Sequence, residues 1–321
     1  MQVEWIAWTR GMTMPHAEAP RPMPTEEGIL AFLERCDAFY PADAVNATIA
    51  EQRAFYDALC AQFAPPLPDG LSKEDGLVDD RIPIRRYRPA DVRTEVTLLY
   101  FHGGGFVVGS LESHDAICAE IADQVGAELI AVDYRLAPEH VWPAQHDDCC
   151  AVLLSLLGEG RRLVLIGDSA GGNLVAGLTL RAREEGWQGI AGQALIYPGL
   201  GGDLVSGSYA DMANAPGLST ADVAYYRDIL QAPADDIFAF PLLVDDFRGL
   251  PPTFISVAHF DPLRDDGRHY AARLLEAGIN VWFREEPQMV HAWLRARYMS
   301  DGARDGFKAL CVAVSRLAGT L

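Results

Sequence analysis

The sequence predicts an α/β fold: a mostly parallel central sheet flanked by helices. Three observations carry this. After residue 80, short runs rich in β-branched and aromatic residues alternate with helical stretches, the pattern of parallel strands joined by crossover helices. One run, RLVLIGD, is apolar nearly throughout, as a central strand buried on both faces should be. The chain has 321 residues, half of them hydrophobic, which is ample core for one large domain with an appendage.

In chain order, residues 1–70 read as a helical region. The first twenty residues carry Trp5, Trp8, Met12 and Met14 among prolines, either an arm that packs over something apolar or a ragged end. PTEEGILAFLERCDAFY has a start signal at Thr25 followed by apolar positions at helical spacing, and IAEQRAFYDALCAQF is a second amphipathic helix. APPLPDG breaks the pattern near residue 70, so the sheet domain is expected over 71–321. RIPIRRYRP reads as an exposed strand. VTLLYF, ELIAVDY, RLVLIGD, QALIYP, TFISVA and NVWFREE follow as strands, with helices expected over 113–126, 145–158, 170–185, 264–277 and 304–318. Residues 200–232 are long for a plain connection and are expected to add a second part of a lid.

The formal net charge of −19 repels phosphate backbones, which sets nucleic acid aside as a partner. No stretch approaches eighteen consecutive apolar residues, so no membrane span is expected, and the first residues do not read as a signal peptide. The six cysteines are scattered without CxxC spacing. No metal site is expected from them, and a reduced, cytoplasmic setting is.

The chemistry concentrates in a few motifs. Gly167-Asp168-Ser169-Ala170-Gly171 fits G-x-S-x-G between a buried strand and a helix, a turn that lifts a serine hydroxyl clear of the sheet. His102-Gly103-Gly104-Gly105 follows an earlier strand. The N–H groups of Gly104, Gly105 and Ala170 are the expected donors to a tetrahedral oxyanion. Serine sites of this kind run Ser, acid, His along the chain, which leaves His259, His269 and His291 as possible bases. His269 lies inside a helical pattern, and no suitable acid lies between Ser169 and His259. His291 follows the last strand and is the expected base. Asp261 directly follows TFISVA and is the expected acid, while Asp265 and Asp266 read as helix-start carboxylates favoured by the dipole.

HGGGF at 102–106, YRLAPEH at 134–140, GDSAGG at 167–172, DPLRDD at 261–266 and HAW at 291–293 together resemble the hormone-sensitive-lipase-like esterases, the bacterial family IV carboxylesterases. The resemblance runs in order from about residue 80 to the end. It implies an α/β-hydrolase core with a helical cap built partly from the N-terminus. It implies hydrolysis of short- to medium-chain carboxylic esters, with no metal or organic cofactor and a small-molecule ester as the partner. Carried over by position, the triad is Ser169, Asp261 and His291. The final strand and helix often meet a second copy in that family, which makes a homodimer a modest expectation. Ala292 stands where the family often has Gly, and Trp293 where it often has Phe. His259 stands where a small or acidic residue is commoner. These departures bear on pocket shape.

Phe106, Trp142 and Tyr197 are candidates for lining the acyl or alcohol pocket, against an ordinary role in the core. Arg135 and Glu139 are expected to shape a loop, Asp168 to brace its neighbours, and His102 to orient the glycine loop. His114 and Asp115 are expected to bond nearby backbone. An amidase or acylaminoacyl-type peptidase with the same triad stays open, since matched ester and anilide substrates are needed to separate them. A non-catalytic receptor is disfavoured by the retained His291, and a true lipase by the lack of a long apolar lid helix.

Overall fold

The computed structural model describes residues 22–39 and 47–321; the Trp- and Met-bearing arm of the first twenty residues lies outside them. Eight strands form one sheet: β1 Ser72–Val78, β2 Ile82–Arg88, β3 Thr97–Phe101, β4 Leu129–Val132, β5 Leu163–Asp168, β6 Ile190–Ile196, β7 Thr253–Phe260 and β8 Val281–Val290. Their order is β1-β2-β4-β3-β5-β6-β7-β8. β3 to β8 run parallel, and β2 is antiparallel to both β1 and β4. The chain steps from β3 outward to β4, then crosses back to β5 on the other side of β3. That reversal opens a crevice at the carboxyl ends of β3 and β5, where open α/β sheets bind ligands.

Alternation along each strand builds two cores. Leu98 and Tyr100 of β3 join the face covered by helices α1 (Glu27–Phe39), α3 (Asp115–Val125) and α9 (Asp301–Ala318). Leu99 and Phe101 point to the opposite face. That face is covered by α4 (Ala144–Gly158), α5 (Ala170–Glu185) and α8 (Arg264–Glu276). Cys149 and Cys150 are buried in α4 as small core residues. Among the described residues no helix is long and apolar enough to cross a membrane.

The N-terminal helix α2 (Ile49–Ala61) starts on a capping box formed by Thr48 and Glu51. Arg53 on α2 ties it to the site loops: Nε donates to the Val107 carbonyl at 2.9 Å, Nη2 to the Ala137 carbonyl at 3.0 Å, and Nη2 pairs with Glu139 at 2.6 Å. Within 200–232 lie two helices, α6 (Ser208–Asp211) and α7 (Thr220–Leu230), the second starting on a Ser219–Asp222 capping box.

Four expectations need correction. β1, SKEDGLV, was not expected as a strand; only Val78 is buried, so no apolar alternation announces it, and its charges suit an edge. Because β1 covers it, β2 is an inner strand rather than an exposed one, with Ile82, Ile84, Arg85 and Tyr87 buried. Thr25 does not cap α1: its N–H and hydroxyl both donate to Gln288 Oε1, at 2.7 and 3.2 Å. Asp266 does more than sit at a helix start. It is buried, and its Oδ2 accepts from the N–H groups of Leu200, Gly201 and Gly202 and from the Tyr209 hydroxyl.

Candidate active site

Two glycines let β5 run into α5 with a serine at the bend. A Cβ on Gly167 would lie 2.3 Å from the Gly171 carbonyl oxygen, and one on Gly171 would lie 1.9 Å from the Phe101 carbonyl oxygen. No side chain fits either position, so α5 packs against its own strand and against β3 at backbone distance. Ser169 is held at φ 54°, ψ −117°. That conformation is strained for a residue with a Cβ, at a cost on the order of 1–3 kcal/mol. It is fixed from both sides: the Ser169 N–H donates to Ile196 at 2.9 Å, and its carbonyl accepts from Asn173 at 3.1 Å.

The carboxyl ends of β7 and β8 bring two further groups to this hydroxyl. His291 Nε2 lies 2.9 Å from Ser169 Oγ, and His291 Nδ1 lies 2.7 Å from Asp261 Oδ2. Asp261 is fully buried, and its other oxygen accepts the Leu263 N–H at 2.9 Å. With the carboxylate so placed, the Nδ1 of His291 is the donor and Nε2 faces the serine as acceptor.

Beside the serine, the glycine loop turns through Gly104 at φ +124° and Gly105 at φ +61°. Its shape is set from below. Asp168 Oδ1 accepts the Gly103 N–H at 2.9 Å and the Tyr100 hydroxyl at 2.8 Å, with His114 Nε2 at 3.3 Å. Burial alone would raise the pKa of this carboxyl. His114, by charge and hydrogen bond, and the Tyr100 hydroxyl overcome that and hold it well below the usual range. His102 is enclosed, its Nδ1 2.8 Å from the Gly103 carbonyl and its ring stacked on Tyr134 at 4.3 Å. Burial, reinforced by His114, pushes its pKa down to about 3.

This fixes the sign of one stability effect. The unfolded imidazole takes up a proton below its ordinary pKa of about 6.5, while the folded ring stays neutral down to about 3. His102 therefore supports the fold fully above pH 6.5 and less as the pH falls toward 3. Relative to a His102→Asn variant, wild type is expected to lose about 2 kcal/mol between pH 8 and pH 5. Urea midpoints of both proteins at the two pH values check this. A difference that does not change with pH would contradict an enclosed neutral ring.

A cavity opens over the serine. Of the expected site residues, Ser169, His291, Gly104, Gly105, Ala170 and Phe106 line it. Asp261 stands behind His291. Trp142 and Tyr197 do not line it. The Trp142 ring is buried in the core, and its indole N–H donates to the half-buried Asp236 at 2.7 Å. The Tyr197 ring packs behind His291, with centroids 4.8 Å apart, and props the imidazole. His114 and Asp115 bond side chains rather than backbone: His114 meets Asp168, and Asp115 meets Lys73, Arg85 and Tyr87. Ala292 takes φ +62°, the left-handed conformation that suits glycine, and it lines the cavity.

Sequence reasoning missed Tyr56 on α2, Tyr226 and Arg227 on α7, and Arg295. All four line the cavity. Arg295 carried a visible signal, a charge in the run HAWLRARY just after the expected base. The others come from helices whose placement over the sheet no local pattern reveals. Among the described residues no group of His, Cys, Asp and Glu could hold a metal ion.

Comparison with known proteins agrees with this architecture. Residues 98–295 match the family model described as an alpha/beta hydrolase fold. The chain is 39% identical over 241 residues to carboxylesterase NlhH of Mycobacterium tuberculosis, covering 68% of this chain and 73% of that one. It is 32% identical over 292 residues to an arylesterase of Saccharolobus solfataricus, covering 85% and 93%. A solved esterase of the bacterial hormone-sensitive lipase family superposes with a TM-score of 0.84 at 25% identity, over 92% of this chain and all of that one.

Proposed function

The chain belongs to the α/β-hydrolase family, among its hormone-sensitive-lipase-like carboxylesterases, and from that premise we propose how its residues cleave an ester. It is a carboxylic ester hydrolase, and its substrates are small esters. Ser169 is the nucleophile, His291 the base and Asp261 the acid that orients it. The observation that carries this assignment is the unbroken chain of contacts, 2.9 Å from Ser169 to His291 and 2.7 Å from His291 to Asp261.

Ser169 Oγ attacks the carbonyl carbon as His291 Nε2 takes its proton. The oxyanion rests on the N–H groups of Gly104, Gly105 and Ala170. The C–O bond breaks, and the alcohol leaves with the proton from His291. Water then attacks the acyl-enzyme, giving its proton to the same nitrogen, and the carboxylic acid departs as Ser169 recovers its hydrogen. Helix α2 and the helices of 200–232 act as the cap: Tyr56 on α2 and Tyr226 on α7 border the cavity. Phe106, Leu218, Val223, Leu230 and Leu263 on the cavity wall give it an apolar lining that suits short- to medium-chain acyl groups. Six free cysteines support work in the reduced cytoplasm. A homodimer across the open edge at β8, where Trp282 and Phe283 are exposed, completes the reading; light scattering measures it.

Hydrolysis of p-nitrophenyl esters of increasing acyl length tests the function. Turnover that peaks at short or medium chains supports it, and a folded protein inert across the series refutes it. A matched anilide shows whether amides are also cut.

Gly104→Ala is expected to lower kcat by roughly 10²–10³-fold. Alanine keeps the N–H, so the loss comes through displacement. Its Cβ would fall 2.1 Å from the Val108 carbonyl oxygen, at a φ that alanine resists. Steady-state kinetics on p-nitrophenyl acetate read the effect, and an unchanged kcat would remove this N–H from the oxyanion hole.

A further inference from the structure

Two arginines line the cavity, Arg227 and Arg295, and neither lies within ion-pair distance of a carboxylate among the described residues. Arg227 is otherwise engaged. It donates to the Gly202 carbonyl at 3.0 Å and the Tyr209 hydroxyl at 3.1 Å, and it lies over the rings of Tyr209 and Phe240. Arg295 is different. It is only 5% exposed, and its side chain's one hydrogen bond to a described residue runs from Nη2 to the Tyr56 hydroxyl. The guanidinium sits 4.6 Å from the centroid of the Tyr56 ring.

A guanidinium has five N–H donors. Burying it with one of them used is expensive unless an acceptor reaches the rest. The carboxylate on the cavity wall, Asp168, does not fill that role, since its oxygens serve Gly103, Tyr100 and His114. The cavity of a chain with net charge −19 thus presents a nearly buried cation that no carboxylate among the described residues pairs.

We infer that the cavity accepts esters whose leaving alcohol carries a carboxylate, and that Arg295 binds that carboxylate. This rests on the esterase reading above. The glycine N–H groups hold the carbonyl oxygen, while His291 must reach the leaving oxygen to protonate it. Arg295 lies in the 3₁₀ segment Trp293–Tyr298, which begins two residues beyond His291, and is assigned with it to the leaving-group side. A guanidinium grips a carboxylate by paired N–H bonds that a neutral amide cannot match. Hydrolysis is otherwise ordinary: water adds OH to the acyl carbon and a proton to the leaving oxygen.

The test compares 4-acetoxybenzoate with the neutral 4-acetoxybenzamide on wild type, Arg295→Gln and Arg295→Lys. Wild type is expected to favour the carboxylate in kcat/KM by about tenfold or more, mainly through KM. Arg295→Gln is expected to erase that ratio while its kcat on the amide-bearing ester stays within a few-fold of wild type, and Arg295→Lys to keep part of it. A wild-type ratio of one or less overturns the inference, as does a Gln variant that slows both esters equally. If Arg295→Gln does not fold, calorimetry on wild type decides with the products: 4-hydroxybenzoate should bind at least several-fold tighter than 4-hydroxybenzamide, and equal affinity overturns the assignment. Loss of turnover on every ester, p-nitrophenyl acetate included, is instead a failure of the esterase reading, and the same calorimetry still judges Arg295.

Discussion

Ser169→Ala is expected to lower kcat on p-nitrophenyl esters by roughly 10⁶-fold, the scale on which loss of a nucleophile removes a triad's advantage. The hydroxyl is the group through which His291 acts, at 2.9 Å, so without it His291 has no serine proton to take and Asp261 no imidazolium to stabilise. What survives is binding and the donors of the glycine loop, worth about 10³-fold over water. The same position allows a stability readout. Ser169 sits at φ 54°, a strain that alanine keeps and glycine relieves. Ser169→Gly is therefore expected to be as inactive as the alanine variant yet more stable, by about 1 kcal/mol. Steady-state kinetics and urea unfolding on both variants give the comparison. An alanine variant retaining more than about 1% of kcat would point to another nucleophile. Equal stability of the two variants would mean that the bend is not strained.

How much of this was legible in the sequence depends on where the information lies. Ser169, Asp261 and His291 each follow a strand end, and a parallel sheet sends all such ends to one edge. Chain order then sufficed to select three residues that the fold brings within hydrogen-bond reach. The helix α5 was readable to the residue, because GDSAG opens it and Gly186 in the left-handed conformation closes it. β1 was not readable, because an edge strand buries so little that SKEDGLV shows no apolar period. β2 was misplaced for the same reason, since an unseen neighbour made it look like the edge. Trp142 and Tyr197 failed as pocket residues because size and aromaticity mark a core position as well as a pocket wall. Asp266 looked like a dipole residue. Its four hydrogen bonds to 200–202 and Tyr209 depend on a loop about sixty residues away. Arg295 was visible as a charge, but its lack of a carboxylate is a fact of three dimensions.

Asp261→Asn carries the second large effect, an expected loss of about 10⁴-fold in kcat with the fold unchanged. Asparagine is close to isosteric, and one of its two polar atoms must remain an acceptor for the Leu263 N–H now held by Oδ1 at 2.9 Å. That requirement turns the NH₂ group toward His291 Nδ1, where Oδ2 stands at 2.7 Å. A donor there can meet only an acceptor, so Nδ1 loses its hydrogen and Nε2 gains it. The nitrogen facing Ser169 then donates where it should accept, and the serine has no base. The imidazolium formed during attack also loses its buried counter-charge, since Asp261 is fully buried and has no solvent to replace it. Both losses fall on the chemical step, so kcat should fall and KM stay near its wild-type value. Kinetics at a single pH with the urea midpoint as a control read this. A fall of tenfold or less would mean that Asp261 only packs against His291 and that another carboxylate orients it.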